Sequence, residues 1–201
     1  MRIIDASFFR SLTEVGQRKS VLLPEVCFIG RSNVGKSTLI NSLALRKIAR
    51  TSSTPGATRL INLYNIRWES QGQKKNTVFS DFPGFGYSKV SKIIYENWQV
   101  MVEGYMLRNE CLKRVLWLFD IRRDFDQLDE MLLEWLRENQ LAFSLVLTKA
   151  DKESRSRSLQ KKQAFRRLLG SEDVFLFSSK DGYGRKELLS HVARSLGIST
   201  F

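Results

Sequence analysis

An apolar run, Val26 to Ile29, is followed at once by Gly30, Arg31, Ser32, Asn33, Val34, Gly35, Lys36, Ser37 and Thr38. The spacing G-x-x-x-x-G-K-S calls for a strand that ends in a tight glycine turn and a helix that starts beside the lysine. That arrangement aims successive backbone N–H groups at one point. Such a point attracts an anion, phosphate above all, and the positive end of the helix dipole adds to the pull. In this reading the loop from Gly30 to Thr38 cradles phosphate, Lys36 reaches the outer oxygens, and Ser37 offers a hydroxyl to magnesium.

The rest of the chain supplies the frame that this loop requires. Short runs rich in β-branched and aromatic residues recur at 26–29, 60–68, 77–81, 115–121, 143–148 and 173–178. Most are nearly continuous apolar stretches, which predicts strands covered on both faces, whereas 60–68 alternates and predicts an antiparallel edge. Helical spacing is clearest over 88–108, where Ile94, Trp98, Met101 and Tyr105 form one stripe, and further helices are expected at 37–46, 126–138, 155–169 and 184–196. This alternation predicts an α/β fold of three layers, with a mostly parallel six-stranded sheet flanked by helices. Residues 1–20 are expected to form an extension packed on a single domain of residues 21–201, anchored by Phe8, Phe9 and Leu12.

In such folds ligands sit at the carboxyl ends of the strands. After 77–81 comes Asp81-Phe-Pro-Gly84, where the carboxylate can hold magnesium through a water and the Gly84 N–H can meet a terminal phosphate. After 143–148 comes Thr148-Lys149-Ala-Asp151. A carboxylate at Asp151 can accept from N1–H and the exocyclic amine of guanine, which adenine cannot supply, and the Lys149 stem can lie along the base. Alternatively Asp151 caps the helix beginning near Ser154. Ser178, Ser179 and Lys180 follow the last strand, where the Ser179 N–H can reach the guanine O6. In the loop at 51–59, Pro55, Gly56 and Ala57 present Thr58 as a second hydroxyl for magnesium.

A formal net charge of +12, from 33 basic and 21 acidic residues, predicts attraction to polyanions, with nucleic acid foremost. The surplus concentrates in 152–170, where Lys152, Arg155, Arg157, Lys161, Lys162, Arg166 and Arg167 meet only Glu153. An RNA-contacting helix and a plain solvated face both fit that pattern. No apolar run approaches the roughly 18 residues that cross a bilayer, and the amino terminus does not resemble a secretion signal, so a cytoplasmic protein is expected. Cys27 and Cys111 read as buried thiols of a reducing compartment rather than a disulfide. His191, the four tryptophans and the Arg122, Arg123 pair read as packing or surface.

Taken together, G-R-S-N-V-G-K-S, T-P-G-A-T-R, D-F-P-G-F-G-Y, T-K-A-D and F-S-S resemble the EngB family (also YihA or YsxC) of bacterial GTPases, within the Ras-like P-loop class. The resemblance spans essentially the whole chain. It implies binding of GTP and GDP with magnesium, GTP hydrolysis, and a role in assembling the large ribosomal subunit. A monomer in contact with precursor particles and ribosomal RNA follows, as does a link to septation and division.

It also implies catalytic roles for Lys36, Thr58, Gly84 and Asn33, the last as a ligand for a potassium ion. Two departures bear on mechanism. Phe85 stands where many relatives of Ras have a water-orienting glutamine, so slow intrinsic turnover is expected. Thr148 replaces a common asparagine, so nucleotide affinity is expected to be modest. A small kinase using ATP, and an RNA-binding protein indifferent to its nucleotide, remain as alternatives at this point.

Overall fold

The computed structural model describes residues 1–12, 22–50, 60–85, 100 and 102–200. Its strands are β1 (Arg2–Leu12), β2 (Glu25–Gly30), β3 (Ile61–Ser70), β4 (Gln73–Asp81), β5 (Leu112–Asp120), β6 (Phe143–Thr148) and β7 (Val174–Leu176). Its helices are α1 (Lys36–Ala44), α2 (Gln127–Glu138), α3 (Arg155–Leu169) and α4 (Arg185–Ser195), with a further helical segment at 102–107 and a 3-10 turn at Ala150–Lys152.

One sheet runs in the order β1-β3-β4-β2-β5-β6-β7. The pairs from β4 through β2, β5 and β6 to β7 are parallel, and β1 with β3 and β3 with β4 are antiparallel. The central strands bury both faces, as their unbroken apolar runs require. Val26, Phe28, Leu116, Leu118 and Val146 pack with Leu39 and Leu43 of α1 and Leu188 and Val192 of α4. The alternate residues Cys27, Ile29, Trp117, Phe119 and Leu147 pack with Leu136 of α2, Phe165 of α3 and Tyr105. The period-two alternation of strand side chains thus makes three layers from one sequence pattern.

Among the described residues the sheet has seven strands rather than the six expected. The extra one is β1, which makes β3 an interior antiparallel strand instead of an edge. Ala6 and Leu12 of β1 are buried, but Phe8 and Phe9 are 54% and 39% exposed, so of the three expected anchors only Leu12 is buried, while the Phe8 ring meets Tyr64 edge-on with centroids 6.0 Å apart. Phe8 and Phe9 are adjacent in an edge strand, so alternation points them to opposite faces, and the β1–β3 register shifts between Ile3 and Asp5 and again between Phe8 and Arg10 break up any single apolar face.

Trp68 and Trp117 are fully buried, and Trp135 packs against the core. Of the expected helix at 88–108, Tyr105 is buried, while Ile94, Trp98 and Met101 lie outside the described residues. Cys27 is buried, Cys111 half-buried, and both are free thiols. Register pairs Phe28 with Asp81, Gly30 with Leu118 and Asp120 with Thr148, so the carboxyl ends of four neighbouring strands come level at one edge.

Candidate functional site

Gly30 ends β2 with φ 154°, and a Cβ there would stand 2.7 Å from the Leu118 carbonyl oxygen. Both facts require glycine. The chain then turns through Arg31 to Val34 and enters α1 at Gly35, which caps the helix without any side-chain hydrogen bond. The opening N–H groups of α1, around Lys36, Ser37 and Thr38, have no acceptor within the helix by geometry, which is the anion-binding arrangement.

Lys36 is nearly buried and donates from Nζ to the Gly30 carbonyl at 3.2 Å. Burial pulls its pKa down, and the nearby Asp81 carboxylate opposes that shift. Ser37 Oγ donates to Asp81 Oδ2 at 3.2 Å. The other carboxylate oxygen, Asp81 Oδ1, is buried with no hydrogen-bond partner among the described residues. Burial pushes the Asp81 pKa up to about 6, against the Lys36 charge and the Ser37 hydroxyl. A hydroxyl beside an orphaned, dehydrated carboxylate oxygen suits a small hard cation that prefers oxygen ligands. The residues present therefore fit magnesium.

Gly84 lies against the phosphate loop. A Cβ on it would stand 2.8 Å from the Ser32 nitrogen and 2.9 Å from the Ser32 Cα. The neighbouring backbone is stitched to the same loop: Phe85 N–H donates to the Gly30 carbonyl at 3.4 Å, and Ser32 N–H to the Phe85 carbonyl at 3.3 Å. Arg31 braces this join. Its guanidinium pairs with Asp126 and, at 3.5 Å, with the buried Asp129, and its Cζ is 6.0 Å from the Phe85 ring centroid. Arg123 reaches the same two carboxylates at 2.9 and 3.2 Å.

On the far side, Thr148 closes β6 with its hydroxyl donating to the Val34 carbonyl at 2.8 Å, with the Phe119 carbonyl at 3.2 Å. Lys149 donates to the Asn33 carbonyl at 2.8 Å. Two consecutive residues of this motif thus hold two consecutive carbonyls of the phosphate loop. Asp151 accepts from the Ser178 hydroxyl at 2.9 Å, and the same oxygen of Ser178 accepts the Lys180 N–H at 3.2 Å. Ser179 and Lys180 are exposed, on the turn after β7. The cap of α3 is Ser154, whose side chain accepts the Arg157 N–H, so capping does not explain Asp151.

The structure thus gathers Gly30 to Thr38, Asp81, Gly84, Thr148, Lys149, Asp151 and Ser178 at one end of the sheet. Gly56, Ala57 and Thr58 lie outside the described residues. Sequence reasoning missed Asp120, Asp126 and Asp129, which are held by the nearby Arg122 and Arg123 and also by Arg31 and Lys149 from other loops. Arg122 is exposed, as a surface reading expects, and it also grips Asp120 through Nε at 2.9 Å and Nη2 at 2.6 Å, while Arg123 is half-buried. In the basic segment, Arg157, Lys162 and Arg166 pair with Glu153, Glu187 and Glu172, and Lys161 donates to the Ile121 carbonyl, while Arg155 and Arg167 are exposed.

Residues 25–149 match the family described as 50S ribosome-binding GTPase. Over 199 residues, the chain is 40% identical to the probable GTP-binding protein EngB of Syntrophus aciditrophicus, covering 98% of each chain. The chain belongs to the EngB family. The EngB relative of Desulfatibacillum aliphaticivorans is 39% identical over 204 residues, covering 100% of this chain and 96% of that one.

A crystal structure of a probable GTP-binding protein EngB shares the fold at TM-score 0.65 and 23% identity, over 86% of this chain and 98% of that one. Aquifex aeolicus Era bound to GDP and AlF4- shares it at TM-score 0.71 and 23% identity, over 86% of this chain and 56% of that one. The fold is therefore that of a P-loop GTPase, and membership of the EngB family makes guanine nucleotide the ligand class of this site. Among the described residues, no helix is long and apolar enough to cross a membrane.

Proposed function

We propose that this EngB-family chain is a GTP-hydrolysing molecular switch that acts in assembly of the large ribosomal subunit. The observation that carries the GTP half of this reading is Asp151, presented after β6 and fixed by Ser178 while Thr148 and Lys149 hold the phosphate loop. A carboxylate fixed in this way favours guanine over adenine. The ATP-dependent kinase therefore loses its support.

Magnesium would be held by Ser37 and Asp81, with Thr58, and when bound it neutralises phosphate charge. Lys36 places a second positive charge at the outer phosphate oxygens, and the Gly84 N–H orients the terminal phosphate. Phe85 has no side-chain amide to align water, which supports slow intrinsic turnover, raised on a ribosomal particle. A potassium ion at Asn33 would add positive charge in the transition state; equal rates in sodium and potassium would remove it.

The +12 charge supports contact with ribosomal RNA in the precursor particle. The working form is a cytoplasmic monomer, and family resemblance links it to normal division and septation. Two experiments test the reading. Binding of GTP against ATP must favour GTP, and depletion from cells must accumulate immature large subunits on sedimentation. Equal binding of ATP, or unaltered particles, would overturn the corresponding half.

A further inference from the structure

Asp120 closes β5 with its carboxylate nearly buried, and none of the five motifs contains it. Four donors converge there. Arg122 donates from Nε at 2.9 Å, from Nη2 at 2.6 Å and from its backbone N–H at 3.1 Å, and the Lys149 ammonium stands 2.9 Å from Oδ2. The same ammonium donates to the Asn33 carbonyl of the phosphate loop. Lys149 therefore bridges the phosphate loop and the end of β5, starting from a left-handed backbone turn at φ 58°.

Alone, Lys149 would be poorly ordered. Its side chain is 31% exposed, has four rotatable bonds and carries a strongly hydrated charge, so one neutral carbonyl is a weak tether against that freedom. A carboxylate supplies the opposite charge at hydrogen-bond distance. Arg122, whose planar fork engages both carboxylate oxygens, fixes the plane in which that charge is presented. The neighbouring Thr148 bridges the same two elements through its hydroxyl, which marks this junction as the place where the base motif and the phosphate loop are held in register.

We infer that Asp120 is a positioning residue for nucleotide binding, holding Lys149 extended so that the lysine's aliphatic stem stands ready to cover the base that Asp151 reads. This rests on the guanine-nucleotide reading of the site. Asp120 touches no nucleotide itself. It acts through Lys149 and lowers the ordering cost of binding, so its effect depends on the lysine being present.

The test is a double-mutant cycle, with GDP affinity in magnesium measured by calorimetry for the wild type, Asp120→Asn, Lys149→Met and the double variant. Asp120→Asn is expected to weaken GDP binding about tenfold, and in the Lys149→Met background to cause no further loss. A residue that merely braced the fold would add the same loss in both backgrounds. That additive result, or an unchanged affinity in Asp120→Asn, overturns the inference. Asp120→Glu keeps the charge and displaces it by one methylene, so it supports the same cycle if the asparagine variant does not fold. A wild-type chain that takes up no GDP overturns instead the reading on which the inference rests.

Discussion

The hydroxyl of Ser178 donates to Asp151 Oδ1 at 2.9 Å, joining the turn after β7 to the turn after β6. The Lys152 ammonium stands 3.9 Å from Asp151 Oδ2, beyond hydrogen-bond reach, so the remaining lone pairs stay open to a ligand, and two adjacent N–H donors of guanine match them. The Asp151→Asn exchange gives the site an amide donor and removes the charge. Guanine affinity is expected to fall on the order of 100-fold while xanthine nucleotides gain. Competition between GDP and XDP checks this, and an unchanged preference for guanine would remove Asp151 from its role.

Lys36 separates binding from folding. Its ammonium is nearly buried, with the Gly30 carbonyl as acceptor and Asp81 as nearby countercharge, so it is maintained at a desolvation cost. Truncation by Lys36→Ala relieves that cost and leaves a gap in a loop that already has its backbone bonds. The nucleotide-free protein is expected to melt within a few degrees of wild type, while the upward shift in Tm caused by GDP disappears. A variant that kept a full ligand-induced shift would show that the lysine does not hold phosphate.

Asp81 sets a pH limit on the metal site. Its pKa is pushed up to about 6 by burial, so the ligand-free protein holds a proton there that the unfolded chain, near 3.8, has already released. Its contribution to stability is therefore present below about pH 3.8 and lost as pH rises through about 6. A cation requires the ionised form. Magnesium-dependent GDP binding is expected to weaken below about pH 6 and to release protons there. Calorimetry in buffers of different ionisation heat measures the release; none between pH 5 and 7 would contradict it.

The fold was most legible where burial on both faces leaves no choice of side chain. The runs in β2, β5 and β6 are apolar because helices cover both sides, and the expected strand at 143–148 matches β6 at both ends. β1 was illegible for the opposite reason. An edge strand needs only part of one face buried, and two register shifts in RIIDASFFRSL scatter even that signal, so the segment read as an extension with aromatic anchors.

The site divides in the same way. Gly30, Ser37, Asp81 and Asp151 are visible because local spacing fixes their chemistry. Asp120, Asp126 and Asp129 have local partners in Arg122 and Arg123, but what ties them to the site is Arg31 of the phosphate loop and Lys149 after β6, and that juxtaposition exists only in the fold.

His191, on α4 and outside every motif, governs acid stability instead. Its Nε2 stands 2.8 Å from Ser144 Oγ, and that oxygen accepts from Arg114 at 3.0 Å, so the serine hydrogen goes to a neutral imidazole. Burial pulls the His191 pKa down to about 4, with Arg114 and Arg194 adding to the effect and Asp173, 3.9 Å away, opposing it. The unfolded chain takes up this proton near pH 6.5 and the folded one only near 4, so the contribution is full above 6.5 and is lost as pH falls through 4. The loss is expected to be on the order of 1–3 kcal/mol. Urea midpoints measured at steps from pH 7 to 4 should fall for wild type and fall less for His191→Gln, which keeps an acceptor for Ser144 but takes up no proton. Parallel curves would assign the acid sensitivity to other groups.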